Sequence, residues 1–107
     1  MHEITPVQLA EWLADPAKIK PLLLDVREPW EYELCHIDGS VPMPMGTVAG
    51  RIGELDPEQV MVVVCHHGGR SAQVGMFLKR QGFKRVINLA GGVAEWAAKV
   101  DPSMPHY

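Results

Sequence analysis

Seven consecutive residues, Cys65-His66-His67-Gly68-Gly69-Arg70-Ser71, place a thiol, two imidazoles, two glycines, a guanidinium and a hydroxyl in one short stretch. A cysteine becomes a nucleophile as its thiolate, so its surroundings decide whether it reacts. Here the surroundings are favourable. The stretch follows the apolar run Val60-Met61-Val62-Val63-Val64 and precedes a helical pattern. A helix start presents free backbone N–H groups and a partial positive charge. Gly68 and Gly69 let the loop curl so that its amides face inward as an anion-binding nest, and Arg70 adds a permanent cation. A thiolate at the head of such a loop is stabilised, and the same cradle attracts an anionic substrate. The loop therefore offers a nucleophile and an oxyanion site together. Taken singly, Cys65 reads as a small core residue, the glycines as a turn and Arg70 as a solvated charge. Their conjunction behind a buried strand favours the chemical reading.

The elements that position this loop follow from hydrophobic periodicity. Thr5, Pro6 and Gln8 form a capping-box start for a helix whose buried stripe is Leu9, Trp12 and Leu13, ended by Asp15-Pro16. Leu22 to Val26 is a nearly continuous apolar run, as expected of a strand buried on both faces. Pro29 opens a short helix, Ile37 to Met43 is an irregular strand, and Val48, Ile52 and Leu55 have helical spacing. Val60 to Val64, mostly β-branched, is predicted as the central strand. A helix is expected from about Ser71 to Gln81, with Gly82 ending it. Arg85 to Leu89 is a further strand, and Val93, Trp96, Ala97 and Val100 mark a last helix. Alternating strands and helices imply an α/β fold: a central, mostly parallel sheet of about five strands with helices on both faces. Residues 1–107 read as one domain with a core of about 4–100 and a tail, 101–107, expected to fray. Trp12, Trp30 and Trp96 are expected to pack helices onto the sheet.

Composition excludes several classes. The net charge of −3 does not suit a general nucleic-acid binder. The start of the chain has neither the basic nor the apolar region of a signal peptide, and no apolar run is long enough to cross a bilayer. A cytoplasmic protein without nucleic-acid or membrane partners is expected. With 47% hydrophobic residues a core forms without disulfides, and Cys35 and Cys65 are expected to be free thiols.

Three segments together resemble rhodanese-like domains. The first is the loop itself, a cysteine followed by four residues and then arginine and serine. The second is Leu23-Leu24-Asp25-Val26-Arg27-Glu28-Pro29-Trp30-Glu31-Tyr32, continuing into His36-Ile37-Asp38-Gly39-Ser40. The third is Asn88-Leu89-Ala90-Gly91-Gly92-Val93-Ala94-Glu95-Trp96. Cys35 stands where that family usually has glycine.

The resemblance implies a rhodanese-type thiosulfate sulfurtransferase in which Cys65 is catalytic. Cys65 would take a sulfane sulfur from an anionic small-molecule donor such as thiosulfate. It would hold that sulfur as a persulfide and pass it to a thiol, a protein cysteine or cyanide. The loop residues His66, His67, Gly68, Gly69, Arg70 and Ser71 would bind substrate and stabilise the persulfide. No metal or organic cofactor is implied. Adjacent histidines beside Cys65 lack zinc-site spacing, and a rim role, adding positive potential when protonated, fits them better. Asp25 and Arg27 are open between support of the loop and a structural ion pair. Two alternatives remain: a cysteine-dependent phosphatase or arsenate reductase, and a non-catalytic sulfur-carrier or binding module. Phosphatases of this fold have five residues between cysteine and arginine, whereas this chain has four.

Overall fold

A computed structural model describes all residues, 1–107. Five strands form one parallel sheet in the order β1-β5-β4-β2-β3: β1 (His2–Ile4), β2 (Leu22–Asp25), β3 (Val41–Pro42), β4 (Met61–Val64) and β5 (Val86–Leu89). Between them run α1 (Pro6–Ala14), α2 (Pro29–Leu34), α3 (Val48–Arg51, flanked by single 3₁₀ turns), α4 (Gly69–Arg80) and, last, α5 (Gly92–Lys99). No helix is long and apolar enough to cross a membrane.

The predicted central strand is central, and its side chains explain why. Met61, Val63 and Cys65 point into a core shared with Leu24, Val74, Leu78 and Phe83. Val62 and Val64 point the other way, toward Leu9, Leu89, Val93 and Trp96. Residues alternate between faces with period two, so a strand covered by helices on both sides must be apolar at every position.

Local signals hold as well. The Thr5 hydroxyl accepts from the Gln8 N–H while the Gln8 side chain accepts from the Thr5 N–H, closing the capping box. Helix α4 ends in the expected glycine. Gly82, at φ +94°, donates to the Lys79 carbonyl, and the Phe83 N–H donates to that of Leu78. This pair of bonds is the Schellman closure.

Strand order sets the location of the site. From β4 the chain proceeds through α4 to β5 on one side, and from β2 it proceeds through α2 to β3 on the other. The segments leaving the carboxyl ends of β2 and β4 diverge there and leave a crevice, the usual ligand position of open α/β sheets.

Three features differ from the sequence expectation. Strand β1 was not foreseen. Its three residues pair with β5 across nearly the whole chain, a long-range contact with no local signal. The strand expected from Ile37 to Met43 shrinks to Val41–Pro42, because the chain turns at Asp38-Gly39, where the Ser40 N–H donates to the Ile37 carbonyl at 3.0 Å. The tail, expected to fray, instead turns back at Asp101, whose N–H donates to the Trp96 carbonyl at 3.0 Å. It buries Met104 against the α1/α5 side of the sheet and takes the Cys35 thiol on the Pro105 carbonyl at 3.6 Å.

A packed tail has a measurable cost of removal. Met104→Ala is expected to lower unfolding free energy by about 2 kcal/mol in urea denaturation. A frayed tail would give no change.

Candidate functional site

Strand β4 ends at Val64, and Cys65 begins the loop with its side chain turned into the core, only 1% exposed. Two groups meet its sulfur. The Gly68 N–H donates to Sγ at 3.0 Å, and the Ser71 hydroxyl lies 3.3 Å from it. Gly68 adopts φ +106°, which reverses the chain and aims its amide back at the sulfur. Such a backbone conformation is strained for any residue with a Cβ. Helix α4 starts at the next residue, so its N-terminal positive end lies at the loop.

The loop is held from behind by α5. The Val93 N–H donates to the Cys65 carbonyl at 2.9 Å, and the Ala94 N–H to that of His66 at 3.0 Å. With its carbonyls engaged there, the loop is left with its N–H groups to present to a ligand. The contact demands a bare backbone at Gly92, where a Cβ would lie 2.3 Å from the Cys65 carbonyl oxygen and 2.5 Å from that of His66. The glycine pair Gly91-Gly92 is visible in the sequence. Its partner, the backbone of Cys65 and His66, is not.

Arg70 does not stand as a free cation. Its guanidinium is paired with Glu31 of α2 through bonds of 2.7 and 2.9 Å. That pairing, with a smaller backbone contribution from Glu28 and the Tyr107 hydroxyl, holds the Glu31 carboxyl down at about 2 against the burial that would raise it. Behind Glu31 lies Arg27, fully buried and bound to both oxygens of Asp25. Its remaining N–H groups donate to the Cys35 and Glu31 carbonyls and, at 2.7 Å, to the Tyr107 hydroxyl. The Tyr107 hydroxyl in turn donates to Glu31 at 2.8 Å. Asp25 and Arg27 are thus a buried structural pair and also the base on which the Glu31–Arg70 pair rests. Glu31 and Tyr107 were missed as site residues. Glu31 lies within a segment the sequence singled out, but nothing local marks its partner 39 positions on.

The two histidines pack together beside the tail. His66 stacks on the Tyr107 ring with centroids 3.9 Å apart and planes 7° from parallel, and His67 leans on His66. Burial, then the neighbouring His67, lowers the pKa of His66 below the ordinary histidine value. Trp30, expected to pack on the sheet, is 61% exposed and meets Tyr107 edge-on. Trp96 does pack in the core as expected. Cys35 belongs to the core on the opposite sheet face from Cys65, and both thiols are free. The broadest groove, lined by Leu13, Lys20, His36, Trp96 and Val100, lies away from the loop and holds no cysteine.

A buried thiol receiving a backbone amide at a helix start, on the carboxyl edge of a parallel sheet, defines a cysteine-centred anion cradle of the kind used in group transfer. The comparisons give this class its family. The rhodanese-like domain model matches residues 5–99, and the chain belongs to the rhodanese-like domain family. It is 35% identical over 97 residues to a sulfurtransferase of Allochromatium vinosum, covering 91% of this chain and 89% of that protein. It is 43% identical over 79 residues to the putative sulfur carrier protein YrkF of Bacillus subtilis, covering 74% of this chain. The chain spans 43% of YrkF and 38% of the Arabidopsis thaliana rhodanese-like/PpiC domain-containing protein 12. Among solved structures, SSP1007 from Staphylococcus saprophyticus aligns with a TM-score of 0.85 at 28% identity, over 99% of this chain and all of that one. The family includes sulfurtransferases and sulfur carriers.

Two outcomes follow from this geometry. Gly92→Ala should lower stability by roughly 1–3 kcal/mol, because backbone must move against backbone, and should slow alkylation of Cys65 by iodoacetamide. A depressed carboxyl stabilises the fold above its unfolded value and loses that contribution as pH falls through its folded value. The Glu31 contribution should therefore be complete above the ordinary carboxylate range and disappear progressively as pH falls to about 2. In acid titrations of stability the wild type should show this dependence and Glu31→Gln should lack it.

Proposed function

We propose that this protein is a sulfurtransferase that carries a sulfane sulfur on Cys65, with thiosulfate as a competent donor and a thiol or protein cysteine as acceptor. The observation that carries the reading is the Cys65 sulfur itself, seated at the start of α4 with the Gly68 N–H donated to it. An amide aimed at sulfur favours the anion over the neutral thiol. The Cys65 thiolate attacks the outer sulfur of thiosulfate. A new S–S bond forms, the donor's S–S bond breaks, and sulfite leaves with the electron pair. The acceptor thiolate then attacks the outer sulfur of the Cys65 persulfide, and Cys65 departs as a thiolate. This is a ping-pong sequence with one covalent intermediate.

The other loop residues have supporting roles. Amides from His66 to Ser71 line the path of the departing anion, the αL turn at Gly68 sets their direction, and Gly69 begins the helix without a side chain to block entry. Arg70, anchored on Glu31, supplies charge at the mouth while 37% of its side chain remains open to an anionic donor. His66 and His67 form the rim over which an acceptor must pass. The cradle takes one sulfur atom and no cofactor. Two free thiols suit a reducing compartment such as the cytoplasm.

Intact mass after incubation with thiosulfate tests the proposal. Wild type should gain about 32 Da, one sulfur atom, and Cys65→Ser should gain nothing. No gain on either protein would remove thiosulfate as donor. Hydrolysis of an aryl phosphate by wild type in its place would establish the phosphatase alternative.

A further inference from the structure

The hydrogens around Cys65 can be counted completely, and the count constrains the thiol. Asn88, on β5, faces Glu3 of β1 in register. Its Nδ2 donates to the Glu3 carboxylate at 2.9 Å and to the Gly68 carbonyl at 3.2 Å. Both partners accept only, so the two amide hydrogens are spent and the orientation of the amide is fixed. Asn88 Oδ1 therefore faces Ser71, and the Ser71 hydroxyl donates to it in a short bond. A serine hydroxyl has one hydrogen. With that hydrogen on Asn88, Ser71 has only lone pairs to offer the Cys65 sulfur 3.3 Å away. The contact is then a hydrogen bond only if Cys65 carries its proton and donates it.

We propose that Asn88 is a positioning residue that takes the single Ser71 hydroxyl hydrogen and so withholds it from the Cys65 sulfur. Forming the thiolate releases the Cys65 proton to solvent and requires Ser71 to turn its hydroxyl from Asn88 to sulfur. Asn88 opposes that turn. Gly68 acts in the other sense, since its N–H reaches the sulfur directly and favours the anion. The sulfur thus sits between an amide that donates to it and a carboxamide, oriented by Glu3, that draws the Ser71 hydrogen away from it. The significance for catalysis rests on the sulfurtransferase reading. The acid–base behaviour of the thiol does not, and it is measured without any sulfur donor.

Other charges act on the same sulfur. Arg70 of α4 faces Cys65, paired with Glu31 of α2, and His66 and His67 belong to the loop. Tyr107 and Arg27 lie behind them, and Glu3 lies beyond Asn88. None of these is altered in the variants below.

The pH dependence of Cys65 alkylation by iodoacetamide is the test, in a Cys35→Ser background, with thermal melts confirming a folded protein. Asn88→Ala and the volume-conserving Asn88→Leu should both move the midpoint down by about 0.5–1 pH unit, the worth of one hydrogen bond released to the thiolate. Ser71→Ala should not move it down. Adding Asn88→Ala to Ser71→Ala should produce no further change, because Asn88 acts through Ser71. A midpoint unchanged or raised in the Asn88 variants overturns the proposal, as does a downward shift that persists without Ser71. Loosening of the Gly68 turn would raise the midpoint, so mere structural damage has the opposite sign. Infrared spectroscopy of the unmodified site gives a second reading. The Cys65 S–H band, identified by its loss in Cys65→Ser, should sit at the low frequency of a donating thiol and rise in Ser71→Ala. A band unmoved by Ser71→Ala also overturns the proposal.

Discussion

A guanidinium with no exposure to water must be satisfied by the protein around it, and Arg27 imposes that condition on this fold. Its partners are four residues from three parts of the chain: Asp25 at the end of β2, the carbonyls of Glu31 in α2 and of Cys35 just after it, and the Tyr107 hydroxyl in the tail. Satisfying one charge therefore fixes the direction of α2 and the resting place of the tail. Glu31, held by the same helix, then reaches Arg70. Buried ion pairs are seldom strongly stabilising in net terms, because desolvation offsets most of the attraction. Losing one partner is another matter, costing about 3–5 kcal/mol. Arg27 is best understood as a constraint on arrangement, with its energetic weight felt when it is broken.

The loop after β4 is gripped from two sides that share no residues. On one side the Glu31–Arg70 pair ties the first turn of α4 to α2. On the other, N–H groups in the first turn of α5 donate to the loop's carbonyls. The second grip is as exacting as the first, since it leaves no space for a Cβ at Gly92. Between the two, Cys65 has little freedom to move. A reacting atom held this way meets its substrate with its geometry already set. The thiol's environment is therefore the product of three chain segments distant in sequence, each recognisable alone as a short pattern.

That distance decides what could be read in advance. Val60 to Val64 announces a central strand because burial on both faces leaves no room for a polar side chain. Thr5, Pro6 and Gln8 announce a helix start because a capping box is complete within four residues. The turn from β4 into α4 at Cys65 to Ser71 was legible for the same reason, being local backbone chemistry next to a buried strand. What was not legible depends on pairing across the chain. Strand β1 has no signal of its own apart from the register it takes beside β5. The tail was expected to fray, but Tyr107 finds Arg27 at a separation of 80 positions. Trp30, large and apolar, was assigned to the core on its type alone, while α2 turns it outward against Tyr107.

The two rims of the sheet are abrupt. One ends in a strand of three residues, and the other in a strand of two that contains Pro42. A strand rim is a template on which other chains can add, and templates this short, one lacking a donor, offer almost nothing to extend. The β4 run, by contrast, is the kind of uninterrupted β-branched sequence that aggregates when unpaired. The fold places it at the middle, with two strands on either side. A domain so closed to edgewise growth can stand beside other folded units without merging its sheet with theirs. The longer relatives, of which this chain spans 43% and 38%, place such a domain beside further sequence.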